Sequence, residues 1–193
     1  MSNSNQLSHL WDESRRGNVE AFGAIHHELY PALLNYLLKI FKDEDISQDI
    51  LQDLFVKFWE RKETLGPIHN IKVYFFKAAR SMAFNYLKSR KNQTLPLSDS
   101  MDIDLVFSQE DIQVTRESNL EVNRLLSVAL NALPKRQKEM IFLKYFEEWN
   151  YAEIADVTGI KYQSVINLVH RGMLQLRSEL ADDRYFQRCR QAV

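Results

Sequence analysis

The sequence predicts an all-α chain: two small helical domains joined by a flexible acidic linker. Three observations carry that prediction. Apolar residues recur at three- and four-residue steps through two long stretches, the spacing of amphipathic helices. Only 5 Gly and 4 Pro punctuate the 193 residues, so turns are few and helices long. Between the two stretches the periodicity stops and the charge changes sign, as at a domain boundary.

The opening residues, MSNSNQLSHLWDESRRGN, are polar and lack an apolar core of signal-peptide length. Helical spacing begins at Val19, with Phe22, Ile25, Leu29, Leu33, Tyr36, Leu37 and Ile40 in step. Pro31 falls inside the pattern, where it kinks or divides a helix. In KDEDISQDI, Asp45 or Ser47 is placed to cap a second helix carrying Ile50, Leu51, Leu54, Phe55 and Phe58. That helix must end before Gly66-Pro67. The segment IKVYFFKAARSMAFNYLKSRK then reads as a third helix and closes the first domain, 1–92.

Residues 93–115 read as the linker, since Pro96 and clusters of Ser and Asp interrupt the pattern. Residues 72–98 hold Lys72, Lys77, Arg80, Lys88, Arg90 and Lys91 and no acid. Residues 99–121 hold Asp99, Asp102, Asp104, Glu110, Asp111, Glu117 and Glu121 against Arg116 alone. The two blocks cancel, so the net charge of -1 hides a strong local asymmetry. Helical spacing resumes through Leu120, Leu125, Val128, Ala129 and Ala132, and Pro134 suits a helix start. A second domain over 116–182 follows, then a short tail, 183–193.

Composition excludes several classes. Cys189 stands alone, so no disulfide framework or cysteine metal site is expected, and a reducing cytoplasm fits. No apolar run approaches the roughly 20 residues that cross a bilayer, so direct membrane insertion is not expected. His26, His27, His69 and His170 lack metal-ligand company, no Gly-rich phosphate loop occurs, and no nucleophile–base ordering appears. An enzyme is therefore not expected, and neither a cofactor nor a metal is implied.

The stretch YAEIADVTGIKYQSV has the spacing of a helix-turn-helix. Ala155 suits a close helix crossing, Gly159 supplies a turn residue with positive φ, and Ile154, Ile160, Val165, Leu168 and Val169 form the apolar side. The other side presents Lys161, Tyr162, Gln163, Ser164, Asn167, His170 and Arg171, types that bond to base edges and phosphates. A helical corner in an ordinary core has similar spacing, so this motif alone leaves both readings open.

Taken in order, three motifs resemble the extracytoplasmic-function (ECF) sigma factors of the sigma-70 superfamily. DILQDLFVKFWE is similar to their region 2.2, YFFKAARSMAFNYLKSRK to regions 2.3–2.4, and ALNALPKRQKEMIFLKYFEEWNYAEIADVTGI to region 4. The final helix, SVINLVHRGMLQLR, resembles the form common in Bacteroidetes-type bacteria. The alternative is a helix-turn-helix regulator with a helical N-terminal sensing domain; such a protein has no reason to carry both segments 49–59 and 74–91.

The resemblance implies a subunit that binds core RNA polymerase and directs promoter recognition. Asp49, Gln52, Asp53, Lys57 and Trp59 would meet the clamp coiled coil of β′, and region 4 the β flap. Tyr74, Lys77, Arg80, Ser81, Asn85, Tyr86, Lys88, Arg90 and Lys91 would bind the -10 element and its melted strand, with Phe75 and Phe84 in the core. Lys161, Tyr162, Gln163, Ser164, Asn167, His170 and Arg171 would read the -35 element. Family patterns are not fully kept: Ser81 and Asn85 replace the usual Asn and Asp, while Ile166, Leu168 and Met173 stand where Lys or Arg is common. Phosphate anchoring would then lean on Lys161, Arg171, Arg177, Lys135 and Arg136. The resemblance also implies an anti-sigma partner, and an acidic linker that runs toward the basic cleft of the polymerase.

Overall fold

The computed structural model describes residues 3–90, 102–112 and 120–181. Among them the regular structure is helical: α1 (Asn3–Arg15), α2 (Val19–Phe41), α3 (Glu44–Arg61), α4 (Ile71–Arg90), α5 (Leu120–Ala132), α6 (Lys135–Ile141), α7 (Tyr151–Thr158) and α8 (Tyr162–Ala181). The chain divides into two compact units. The first is built on α1–α4; the second opens at Asp102 and takes in α5, α6, α8 and all but the last turn of α7.

Local chemistry sets the boundaries of the first unit. Asn18 caps α2 by accepting from the Ala21 N–H at 3.0 Å, and Lys42 ends it in a left-handed conformation. Asp43, rather than Asp45 or Ser47, caps α3: its carboxylate accepts from the Ile46 N–H at 3.1 Å. Asn70 does the same for α4 through the Val73 N–H. Helix α2 runs unbroken past Pro31, whose ring lies on an exposed side of the helix.

Packing then follows the apolar stripes. Leu33, Tyr36 and Leu37 of α2, Leu51 and Leu54 of α3, and Ile71, Phe75, Phe76 and Ala79 of α4 are essentially excluded from water. Phe58 and Phe75 lie with ring centroids 3.9 Å apart. Each buried leucine, isoleucine or phenylalanine among them contributes about 1.5–3 kcal/mol. Helix α1, absent from the sequence reading, closes this core with Leu7 and the fully buried Trp11.

In the second unit, the sequence pattern has a different phase from the structure over α5. Asn123, Ser127, Ala129 and Leu130 face inward, whereas Leu120 and Val128 are exposed. After α6 the backbone widens at Phe142–Phe146 into a π-type turn, closed by Glu147 N–H donating to Phe142 C=O. Asn150 and Glu153 then form a reciprocal cap for α7. The Asn150 carboxamide accepts from the N–H groups of Ala152 and Glu153, and Glu153 accepts from the Asn150 N–H at 3.0 Å. Gly159, at φ +69°, makes the turn into α8. Val165, Val169, Gly172 and Leu176 are the buried residues of α8, which packs against α6 and α5. At Gly172 the helices come so close that a Cβ would lie 3.2 Å from Ile141 Cγ1.

The segment read as a flexible linker differs from that expectation over residues 102–112. Ile103, Leu105, Phe107 and Ile112 are buried in the second unit, so this stretch is a strap on it. The Phe107 ring lies 5.2 Å from Phe146, and the Asn131 side chain grips the Phe107 backbone twice. Alternating apolar residues give the strap a buried edge of its own, which outweighs the entropy of ordering it.

Candidate nucleic-acid and polymerase interfaces

Helix α3 turns its polar side outward. Asp49, Gln52, Asp53 and Lys57 are all exposed; Gln52 and Asp53 lie three and four residues after Asp49, and Lys57 four after Asp53, so they form one strip. Lys57 Nζ lies 3.7 Å from Asp53 within that strip. Val56, 48% exposed, adds an apolar contact in its middle. Trp59 borders the strip but is half-buried: its ring lies 5.2 Å from Phe22, under Lys62 Nζ at 3.9 Å. His26 packs its ring on Phe55 behind α3, and burial, with the neighbouring charge of His27, lowers its pKa below 6.5.

On α4 the nominated residues separate into two groups. Tyr74, Lys77, Ser81, Asn85 and Lys88 follow at three- and four-residue steps along one side; all are exposed except Lys88, which is half-buried. Arg80 lies off this side and is only 5% exposed, which corrects its assignment to a nucleic-acid face. Tyr86 is also turned away: it packs edge-on against Phe41, with the Arg90 guanidinium 5.5 Å from its ring. Phe75 is fully buried and Phe84 half-buried. Lys91 lies outside the described residues.

Beside Tyr74, Lys77 and Ser81 runs a groove of about 370 Å³ between α3 and α4. Leu54, Phe58 and Met82 give it an apolar floor, and Lys57 and Arg61 add cations along its α3 edge. Leu65, from the loop over 62–70, walls one end. An apolar floor, an aromatic ring and cations on the rim are what an unpaired nucleotide requires, with base stacked inside and phosphate outside. The sequence signal for this groove was divided between two motifs. Lys57 belongs by spacing to the α3 strip, and no motif in the sequence marks Arg61 or Leu65.

In the second unit Gln163, Ser164, Asn167 and Arg171 share the exposed side of α8. Gln163 Nε2 donates to Asn167 Oδ1 at 3.4 Å, which links their amides. Lys161 precedes the helix, its carbonyl accepting from the N–H groups of Ser164 and Val165. Tyr162 falls on another flank, edge-on to Tyr151. His170 borders an apolar groove of about 1010 Å³ lined by Leu126, Tyr145, Met173, Leu174 and Leu180, where Arg177 also lies.

The strap has a direct electrostatic bearing on this unit. Asp104 lies 3.7 Å from Lys135 Nζ and 2.5 Å from Lys138 Nζ, and Asp102 pairs with Arg136. Lys135 and Arg136, nominated as phosphate anchors, are thus engaged by carboxylates of their own chain. Among the described residues no cluster of His, Cys, Asp and Glu could hold a metal ion, and no helix is long and apolar enough to cross a membrane.

One helical unit carries a groove with an aromatic ring and cations along its edge, and α7 turns into α8 through Gly159 as a helix-turn-helix. Residues 25–93 match the family Sigma-70 region 2, and residues 123–176 match Sigma-70, region 4. The chain belongs to the sigma-70 family and, within it, to the ECF sigma factors, which act in transcription initiation. It is 27% identical to RNA polymerase sigma factor SigV of Bacillus subtilis over 74% of this chain and 80% of that one. With ECF RNA polymerase sigma factor SigM of the same organism it shares 24% identity, over 78% and 92% of the respective chains. A probable RNA polymerase sigma factor, RfaY of Xanthomonas campestris, is 24% identical over 90% of this chain, which spans only 44% of that longer relative. Among solved structures, CnrH, determined with the cytosolic domain of CnrY, superposes with a TM-score of 0.64 at 21% identity, over 92% of this chain and 99% of CnrH. The sigma factor RpoE of Bartonella quintana, determined with the anti-sigma factor NepR, gives 0.62 at 20% identity, over 86% and 100%.

Proposed function

We propose that the chain is the promoter-reading subunit of a bacterial RNA polymerase holoenzyme, working in the cytoplasm by binding rather than by catalysis. Asp49, Gln52, Asp53 and Lys57, flanked by Trp59, engage the clamp coiled coil of β′. The apolar groove beside α8 receives the β flap. Tyr74, Lys77, Ser81, Asn85 and Lys88 hold the -10 element, with Arg90 at the cationic end of their helix and Lys91 next to it in sequence. Lys161, Gln163, Ser164, Asn167 and Arg171 contact the -35 element, and an anti-sigma partner holds the free chain inactive.

The observation that carries this reading is the groove between α3 and α4, bordered by Tyr74, Lys77 and Ser81. Unstacking a base costs a few kcal/mol, and each base stacked on an aromatic side chain returns about 1–3 kcal/mol. Capture of everted bases therefore offsets much of the cost of opening the duplex, and no nucleotide hydrolysis is needed. On α8 the exposed cations are few, so its grip is salt-dependent and weak alone. It reads DNA while the polymerase holds it there.

Run-off transcription with core polymerase, with and without the chain, on genomic fragments tests the proposal. Initiation at defined start sites only when the chain is present is the expected result. Core binding without any initiation, or DNA binding that never requires core, refutes it.

A further inference from the structure

The loop over 62–70 walls the groove of the first unit with Leu65, and its backbone is held from outside α3 and α4. Trp11 of α1 donates its indole N–H to the Gly66 carbonyl at 3.0 Å. Ser8, one helical turn earlier, donates its hydroxyl to the His69 carbonyl at 2.7 Å. Trp11 is fully buried, and its ring meets Phe58, a floor residue of the same groove, edge-on at 6.1 Å. The ends of the loop are tied by their own helices, through Arg61 C=O to the N–H groups of Thr64 and Leu65, and through the Asn70 cap. Its middle is tied by α1. This helix lies N-terminal to the residues that match the family, 25–93.

We propose that α1 is a brace for the groove, with Trp11 and Ser8 as positioning residues that set where Leu65 stands against a captured base. The inference rests on the reading of this groove as the strand-capture site. Neither side chain touches nucleic acid. Each fixes a carbonyl of the loop, and through it the width of the groove between Leu65 and the Tyr74–Lys77–Ser81 side. A loop free of these two bonds samples several widths and discriminates poorly among bases of different size.

The full-length variants Trp11→Phe and Ser8→Ala, singly and combined, remove the bonds while keeping an aromatic ring on Phe58. Each is assembled with core polymerase, and initiation rates are compared on promoters carrying each of the four bases at successive -10 positions, as duplexes and with that strand already unpaired. Tyr74→Ala, which alters the groove directly, is measured beside them. The combined variant is expected to bind core with unchanged affinity, to exchange its amides over 66–70 about tenfold faster, and to lose about 3- to 10-fold of base preference at one position. Faster amide exchange with base preference intact, while Tyr74→Ala loses it, overturns the brace. Preference indifferent to Tyr74→Ala as well overturns the underlying reading of the groove instead.

Discussion

Replacing Asn131 by Ala tests whether the strap belongs to the second unit. The Asn131 carboxamide accepts from the Phe107 N–H at 3.0 Å and donates to the Phe107 C=O at 2.8 Å. A neutral hydrogen bond contributes about 0.5–1.5 kcal/mol net, and both of these vanish together, leaving the two backbone groups without this partner. The expected loss is about 2 kcal/mol, concentrated in the strap because Asn131 is its double anchor. Such a change raises the population of the opened strap about 30-fold. Chymotrypsin cuts after Phe107 only when the strap opens, since that side chain is 3% exposed. With opening fast relative to cleavage, the rate at that one bond follows the open population and rises by the same factor. Limited proteolysis with mass spectrometry of the fragment ending at Phe107 gives the rate. A change of less than about threefold in the folded variant would falsify the assignment of Asn131 as the anchor.

Other outcomes follow from the same geometry. Asp102→Asn with Asp104→Asn frees Lys135 and Arg136 and strengthens full-length binding to a -35 duplex about 3- to 10-fold, since two exposed pairs of up to about 1 kcal/mol each no longer hold these cations. Glu110→Gln with Glu117→Gln removes the same two charges and serves as control, and equal effects of both would refute competition by the strap. Arg171→Ala weakens that duplex across all sequences and lowers the salt slope by about one phosphate contact, read from binding titrations at several ionic strengths. Gly172→Val places methyl groups against Ile141 and destabilises the second unit by about 2–3 kcal/mol in urea unfolding, whereas Gly172→Ala stays near neutral because the helical gain over glycine offsets the crowding. The lowered pKa of His26 makes its contribution to stability complete above 6.5 and progressively lost as pH falls through the folded value. His26→Gln flattens that limb of the unfolding profile.

Helices α2, α3, α4 and α8 were legible because each carries an unbroken apolar stripe long enough to show its period. Helix α1 was not, because its polar composition masked Leu7 and Trp11, the two inward residues that hold it. The strap was hidden for a related reason. Its acids suggested a solvated spacer, yet Ile103, Leu105 and Phe107 alternate with Asp102, Asp104 and Val106, which is the pattern of a chain with one buried side. Residue types on α4 pointed to nucleic acid, but type does not give direction. Arg80 and Tyr86 belong to the same basic-aromatic run as Tyr74 and Lys77, and only the phase of the helix separates them. The groove joins residues from two motifs and a loop, so no single window of sequence contained it.

The grip of Asn131 on Phe107 has a further consequence, for how this segment tolerates change in length. One amide reads the N–H and C=O of one residue, so it pins the register of the strap at a single point. Deleting one residue between Asp102 and Phe107 would shift the alternation by one place, bringing a carboxylate toward the core and an isoleucine or leucine toward water. Deleting two would restore the alternation but remove one buried side chain, at a cost of about 1.5–3 kcal/mol. Natural or engineered variation in this stretch should therefore come in pairs of residues.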